Sequence, residues 1–271
     1  MIIVWILLAL TVLYLFLIAP PLKKNKTLAA LGRVDLCHRG LFYNERGIPE
    51  NSMPAFEGAL QSGHGFEFDI HLTKDDELVV FHDDTLERMT NGHGRVVEHT
   101  LEELRALRLL DTDEKIPTLR EVLDLAGSYQ TEEKTLPLLV EFKFDRPDID
   151  HYCTKAFEML DSYKGVYLME SFDPRIVMWV RKHKPDVARG QLATKGGVNA
   201  ALSFLLSNLM MNFLARPDFV AYDENFADSS PSVWLWRKLF KGHYFEWTTR
   251  QKTRLEANAA SGKSSIFEDR D

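Results

Sequence analysis

One pattern governs the chain from residue 34 onward: short apolar runs with β character alternate with stretches of helical periodicity. The β-like runs fall at 34–38, 66–72, 78–82, 138–144, 166–172, 188–193, 219–222 and 244–248. Alternation of this kind builds an α/β fold with a parallel sheet, because each crossover helix covers a face that its strands leave bare. Eight such units can close on themselves as a TIM (β/α)8 barrel. An open doubly wound sheet is disfavoured, since no glycine-rich phosphate loop follows the first run. A ninth run at 264–268 competes for the place of last strand. Helix starts are marked by Thr100 with Glu103, by Thr118 with Glu121, and by Asp173 followed by Pro174. The first two have capping-box spacing, and the third puts a proline in a first turn. The stretch from His82 to Leu138 is too long for one loop and one helix, so 84–117 reads as a small insertion after strand 3, at the barrel mouth.

Residues 2–19 are uncharged and almost wholly apolar, and Pro20 and Pro21 stop the helix they would form. The length approaches the roughly 20 residues of a spanning helix. The basic start and small-residue cleavage site of a signal peptide are missing. The reading is one N-terminal transmembrane helix over 1–19, a linker over 20–31 and a barrel over 32–271. Lys23, Lys24, Lys26 and Arg33 follow the helix, which places the barrel in the cytoplasm by the positive-inside rule. A net charge of −7 excludes a general nucleic-acid binder. Cys37 and Cys153 form no disulfide framework, and Cys37, inside an apolar run, reads as a buried free thiol.

Strand side chains alternate faces, so Glu67 and Asp69 point together, away from Phe66, Phe68 and Ile70. Glu141 and Lys143 repeat this arrangement, and His38 and His82 each end a strand. Barrel active sites are built at such strand ends. Three carboxylates aimed at one interior repel unless protonated or bridged by a cation. One hard divalent cation, Mg2+ or Ca2+, suits an all-oxygen donor set better than zinc does. Two histidines beside it suit acid–base work near neutral pH. Arg39 and Lys143 suit an anionic phosphate.

The stretches that carry these groups are His38-Arg39-Gly40, Pro49-Glu50-Asn51-Ser52, Gly65-Phe66-Glu67-Phe68-Asp69, Val80-Phe81-His82-Asp83, Glu141-Phe142-Lys143, Ser171-Phe172-Asp173 and Trp247-Thr248. In their order and spacing the chain resembles the glycerophosphodiester phosphodiesterase family over nearly its whole length after residue 32. It departs from the family pattern at Ser52, usually Thr, at Thr249-Arg250, often Val-Asn, and at Glu268-Asp269, usually Thr-Asp. The resemblance implies a TIM barrel in which Glu67, Asp69 and Glu141, with Glu50 nearby, bind the divalent ion. It implies His38 and His82 as the acid–base pair, Arg39 and Lys143 as phosphate contacts, and Trp247 as a wall of the pocket. The implied reaction is hydrolysis of a glycerophosphodiester to sn-glycerol 3-phosphate and an alcohol. Two rivals keep the barrel: a non-catalytic, membrane-tethered binder of phospho-head groups, and a sphingomyelinase D-like enzyme. A missing histidine or carboxylate would favour the binder, and none is missing.

Residues 198–215 form a second apolar run in which Asn199, Ser203, Ser207, Asn208 and Asn212 recur at helical spacing. It reads as one amphipathic helix, either packed on the barrel or docked on lipid. Trp234, Trp236, Leu239 and Phe240, with Arg237, Lys238 and Lys241, make an aromatic-basic stretch suited to an interface. If these segments meet membrane lipid, the substrate class extends to lysophospholipids and the product to lysophosphatidic acid.

Overall fold

The computed structural model describes residues 1–131, 135–144, 147–196 and 200–269. In chain order, α1 (Ile2–Ile18) and α2 (Lys26–Leu31) precede β1 (Asp35–Cys37), α3 (Met53–Gln61), β2 (Gly65–Leu72), β3 (Leu78–Val80), α4 (Leu101–Ala106) and α5 (Leu119–Ser128). Then come β4 (Leu138–Phe142), α6 (Ile149–Leu160), β5 (Tyr167–Ser171), α7 (Pro174–His183), β6 (Arg189–Ala193), α8 (Ala200–Ser207) and α9 (Asn212–Ala215). The chain closes with β7 (Phe219–Asp223), α10 (Glu224–Ala227), α11 (Pro231–Lys238), β8 (His243–Thr249), α12 (Lys252–Ala260) and β9 (Ser264–Phe267).

Eight parallel strands form a ring in the order β1-β2-β4-β5-β6-β7-β8-β9, and β9 pairs back to β1. The fold is the TIM barrel. The run at 78–82 is not one of its staves, which corrects one expectation. It forms β3, antiparallel to β2, with Val80 opposite Ile70 and Leu78 opposite Leu72. Only residues 73–77 separate the two strands, far fewer than the dozen or so a parallel crossover needs. The run at 264–268 supplies the missing stave as β9, between β8 and β1.

Two apolar layers hold the ring. Inside, Leu36, Leu139, Leu168, Leu192, Phe219, Ala221, Phe245 and Ile266 fill the lower barrel, and Leu28 of α2 packs into the same cluster from its base. Outside, Phe66, Phe68 and Ile70 of β2 meet Phe56 of α3, with the Phe56 and Phe66 rings stacked at 4.5 Å. Capping boxes form at Thr100/Glu103 and Thr118/Glu121, and Asp173 caps α7 with Pro174 in its first turn. The segment after β3 has a small core of its own, with Phe81, Leu86, Met89, Val96, Leu104, Leu109 and Ile116 packed on Val79.

The N-terminal expectation also changes. Helix α1 covers 17 residues, about 25 Å at ~1.5 Å per residue, against a hydrocarbon core of ~30 Å. Among the described residues no helix is long and apolar enough to cross a membrane. Its last turns dock on the barrel. Ile18 is fully buried, the Tyr14 hydroxyl meets Ser232 Oγ at 2.7 Å, and Arg216 donates to the Phe16 and Ala19 carbonyls. The single helix expected over 198–215 is instead two short ones, α8 and α9, and Val198 and Asn199 lie outside the described residues. Leu209, at φ 57°, turns the chain between them, and Ser207 and Asn212 of the expected polar stripe are buried.

Gly65, at the start of β2, tests the closure. A Cβ there would lie 1.9 Å from the Pro137 carbonyl oxygen, at the entry to β4. Gly65→Ala is expected to lower unfolding stability by about 1–3 kcal/mol, read by denaturant melts. Unchanged stability would contradict this account of the β2–β4 seam.

Candidate active site

The chemistry-bearing side chains gather above the apolar layer, at the C-terminal ends of the strands. Strand β2 is buried along its whole length, and its alternation turns Glu67 and Asp69 inward. Strand β4 pairs with it so that Asp69 stands beside Glu141. Carboxylate oxygens of Glu67, Asp69 and Glu141 lie within 4.8 Å of one another. Lys143 places its ammonium 2.8 Å from Asp69 Oδ1 and 2.7 Å from Glu141 Oε1.

Burial and its neighbours Asp69 and Glu141 push the Glu67 carboxyl well above the usual range. Asp69 goes the other way. Against the cost of burial, Lys143, His82 and Arg39 hold it well below. One carboxyl thus favours its proton while the next stays ionised, as expected of like charges crowded in a dry site. The oxygen-only donor set, its closeness and its burial fit a hard divalent cation.

The loop after β1 delivers the second group. Arg39 takes up φ 53°, an uncommon conformation for a side chain of its size, and Asn51 sits at φ 53° as well. Gly40 lies tight against α3: a Cβ there would approach the Ala55 carbonyl carbon to 2.7 Å. In this loop the Arg39 amide donates to Glu67 Oε2 at 3.1 Å, and Asn51 Nδ2 donates to Asp69 Oδ2 at 2.8 Å. Asn51 therefore serves the acidic cluster, and Ser52 caps α3. Glu50 does not join the three-carboxylate cluster. Arg39 reaches it at 2.6 Å and Arg88 at 2.7 Å, which together hold it ionised against burial.

The two histidines are held alike. His38 Nδ1 lies 2.9 Å from Glu268 Oε1, and its Nε2 faces Glu67 at 3.9 Å. His82 Nδ1 lies 2.6 Å from Asp83 Oδ1. A carboxylate on Nδ1 fixes the ring and leaves Nε2 outside that bond. Burial, with Arg39 nearby, drops His38 to about 4, opposed by Glu268. Arg88, from the segment after β3, grips both Asp83 oxygens and so ties His82's partner to Glu50. Trp247 is half-buried at the rim, edge-on to Phe172 at 5.7 Å.

Strand ends and alternation pointed to His38, His82, Glu67, Asp69, Glu141 and Lys143, and the fold brings them together. Glu268 and Arg88 carry no local signal, because their partners are set by ring closure and by the inserted segment. Glu170 could have been found, as a carboxylate inside the apolar run 166–172. Breaking the buried pair by Lys143→Met is expected to cost about 3–5 kcal/mol. The double variant Lys143→Met/Glu141→Gln is expected to cost less, since it also relieves repulsion. A double variant as costly as Lys143→Met alone in denaturant melts would contradict this account of the pair.

Comparison with known proteins agrees with this geometry. The model of the glycerophosphoryl diester phosphodiesterase family matches residues 38–265. A glycerophosphodiester phosphodiesterase of Caldanaerobacter subterraneus is 35% identical over 167 residues, 58% of this chain and 65% of that protein, a little under two thirds of its length. Glycerophosphodiester phosphodiesterase 1 of Bos taurus is 29% identical over 252 residues, 78% of this chain and 73% of that one. Among solved structures, an Oleispira antarctica phosphodiesterase in complex with the product sn-glycerol-3-phosphate superposes with TM-score 0.71 at 21% identity, covering 89% of this chain and 94% of its own. A Parabacteroides distasonis glycerophosphodiester phosphodiesterase gives 0.70 at 24%, covering 91% and 94%. These two likenesses speak to the fold, and the family match carries the assignment: the chain belongs to the glycerophosphoryl diester phosphodiesterase family.

Proposed function

We propose that the chain hydrolyses glycerophosphodiesters to sn-glycerol 3-phosphate and an alcohol. His38 and His82 serve as general acid and base, and one divalent cation is held by Glu67, Asp69 and Glu141. The observation that carries this reading is the pairing of two carboxylate-braced histidines with one buried three-carboxylate cluster. A bound Mg2+ or Ca2+ would supply positive charge against the phosphoryl oxygens. The chain's own residues do the rest. Arg39 and Lys143 offer cationic donors to the non-bridging oxygens, positioning the phosphorus between the histidines. One histidine removes a proton from the attacking oxygen, that of water or of a neighbouring substrate hydroxyl whose cyclic phosphate ester water then opens, and the other gives a proton to the departing alcohol oxygen. Glu268 and Asp83 keep each Nε2 aimed and stabilise the ring when it is charged. Trp247 and Phe172 form an apolar wall at the rim, suited to the carbon skeleton of the alcohol. The full set of histidines and carboxylates disfavours a binding-only barrel.

We further propose that the protein meets membrane lipid through α1 and α8, and that lysophospholipids are substrates. Supporting this, α1 is bare and apolar on every side from Ile2 to Leu13 except where Thr11 hydrogen-bonds its own backbone. Arg216 stands at the N-terminal end of β7 and Ser232 at the start of α11, so α1 climbs from the barrel base toward the catalytic rim. Leu202 and Phe204 of α8 are exposed as well, while Trp236 of the aromatic-basic stretch is fully buried and belongs to the core. The occupied face is thus narrower than the sequence implies.

The test is phosphodiesterase activity of the full chain in lipid vesicles on glycerophosphocholine and lysophosphatidylcholine, with Mg2+, with Ca2+ and with chelator. Cation-dependent choline release is expected, reduced about 10²–10⁴-fold in His38→Ala and in His82→Ala. Undiminished turnover in both variants, or in chelator, would overturn the mechanism. The variant Leu202→Gln/Phe204→Gln is expected to lower activity on the lysolipid alone, and an equal loss on both substrates would remove the lipid-docking reading.

A further inference from the structure

A fourth carboxylate faces the same chamber and has no part in the scheme above. Glu170 stands on β5 in register with Glu141 of β4. Neighbours in register on parallel strands project to the same face, so Glu170 points into the barrel beside Glu141. It is 1% exposed, and its Oε2 has no hydrogen-bond donor among the described residues. Lys143 ion-pairs with Asp69 and Glu141, and Arg39 with Glu50, whereas Glu170 is in no ion pair among the described residues. A buried carboxyl oxygen without a donor is costly, and a cation bound beside it would supply the missing partner.

We propose that Glu170 is a fourth carboxylate of the cation site, reaching the ion directly or through one bound water, and that it biases the site toward Ca2+ over Mg2+. Ca2+ accepts more oxygen ligands, about 6–8, in irregular geometry, whereas Mg2+ needs a near-octahedral shell and keeps its waters. A donor added from a neighbouring strand, off the tight group of three, serves the larger and more tolerant ion. This inference rests on the divalent-cation reading above.

The test is made on the full-length protein with Glu170→Gln and Glu170→Asp, by calorimetric titration with Ca2+ and with Mg2+ and by thermal unfolding in chelator. Glu170→Gln is expected to melt in chelator at or above the wild-type temperature, because an acid buried against Glu141 without a donor on its Oε2 is replaced by a neutral amide. Its Ca2+ affinity is expected to fall about 10- to 100-fold, the range for lost supporting groups at metal sites. Its Mg2+ affinity should fall by a smaller factor, and Glu170→Asp should lie between wild type and Glu170→Gln. Unchanged Ca2+ affinity in Glu170→Gln, or a lower melting temperature in chelator, would overturn the proposal and make Glu170 structural. If wild type binds neither ion, the cation reading fails and this inference falls with it, an outcome distinct from a wild-type-like variant.

Discussion

Repulsion among buried carboxylates is the constraint around which the mouth of this barrel is organised. Glu67, Asp69, Glu141 and Glu170 sit on three neighbouring strands in a chamber almost closed to water. Nothing in an apolar barrel requires them, and the fold answers with cations brought from several directions. Lys143 comes from the end of β4, Arg39 from the loop after β1, and Arg88 from the segment after β3 steadies the acidic partners of both Arg39 and His82. The strained turns at Arg39 and Asn51 fall in the same place, where strain is tolerated because packing against α3 over-determines the loop.

That arrangement divides the barrel along its axis. The lower half is a dry packing of leucine, phenylalanine and isoleucine from seven of the eight staves, plugged by Leu28. The upper half replaces those side chains, on the same faces of the same strands, with acids, bases and an aromatic rim. The stability of the first half lets the second hold groups in poor electrostatic company. The segment after β3 has its own core, so Arg88 is offered from a rigid platform and not from a loose loop.

Much of this was legible in the sequence. Two-residue alternation in Gly65–Leu72 placed Glu67 and Asp69 on one side, and strand–helix alternation pointed to a closed parallel barrel. What failed has physical causes. A hairpin arm has the same period as a barrel strand, so period alone does not tell 78–82 from a stave, whereas the shortness of 73–77 does. The run at 198–215 contains a left-handed turn at Leu209 that residue type does not announce. Asn51 and Ser52 are both good capping residues, and only the register of α3 decides that Ser52 caps and Asn51 reaches Asp69. Glu268 lies 230 residues from His38, a pairing that ring closure creates and local pattern cannot contain. In α1, composition suggested a span that the length from Ile2 to Pro20 does not supply.

The central claim is that phosphate and cation meet at the carboxylate cluster. Phosphorus-31 relaxation of sn-glycerol 3-phosphate in the presence of the Mn2+-loaded protein tests it most directly, because a paramagnetic ion broadens only nuclei held within several ångströms of it. The account predicts strong broadening in wild type that disappears in Asp69→Asn. Broadening that survives Asp69→Asn, or its absence in a wild-type protein shown to bind both Mn2+ and the phosphate, would contradict it.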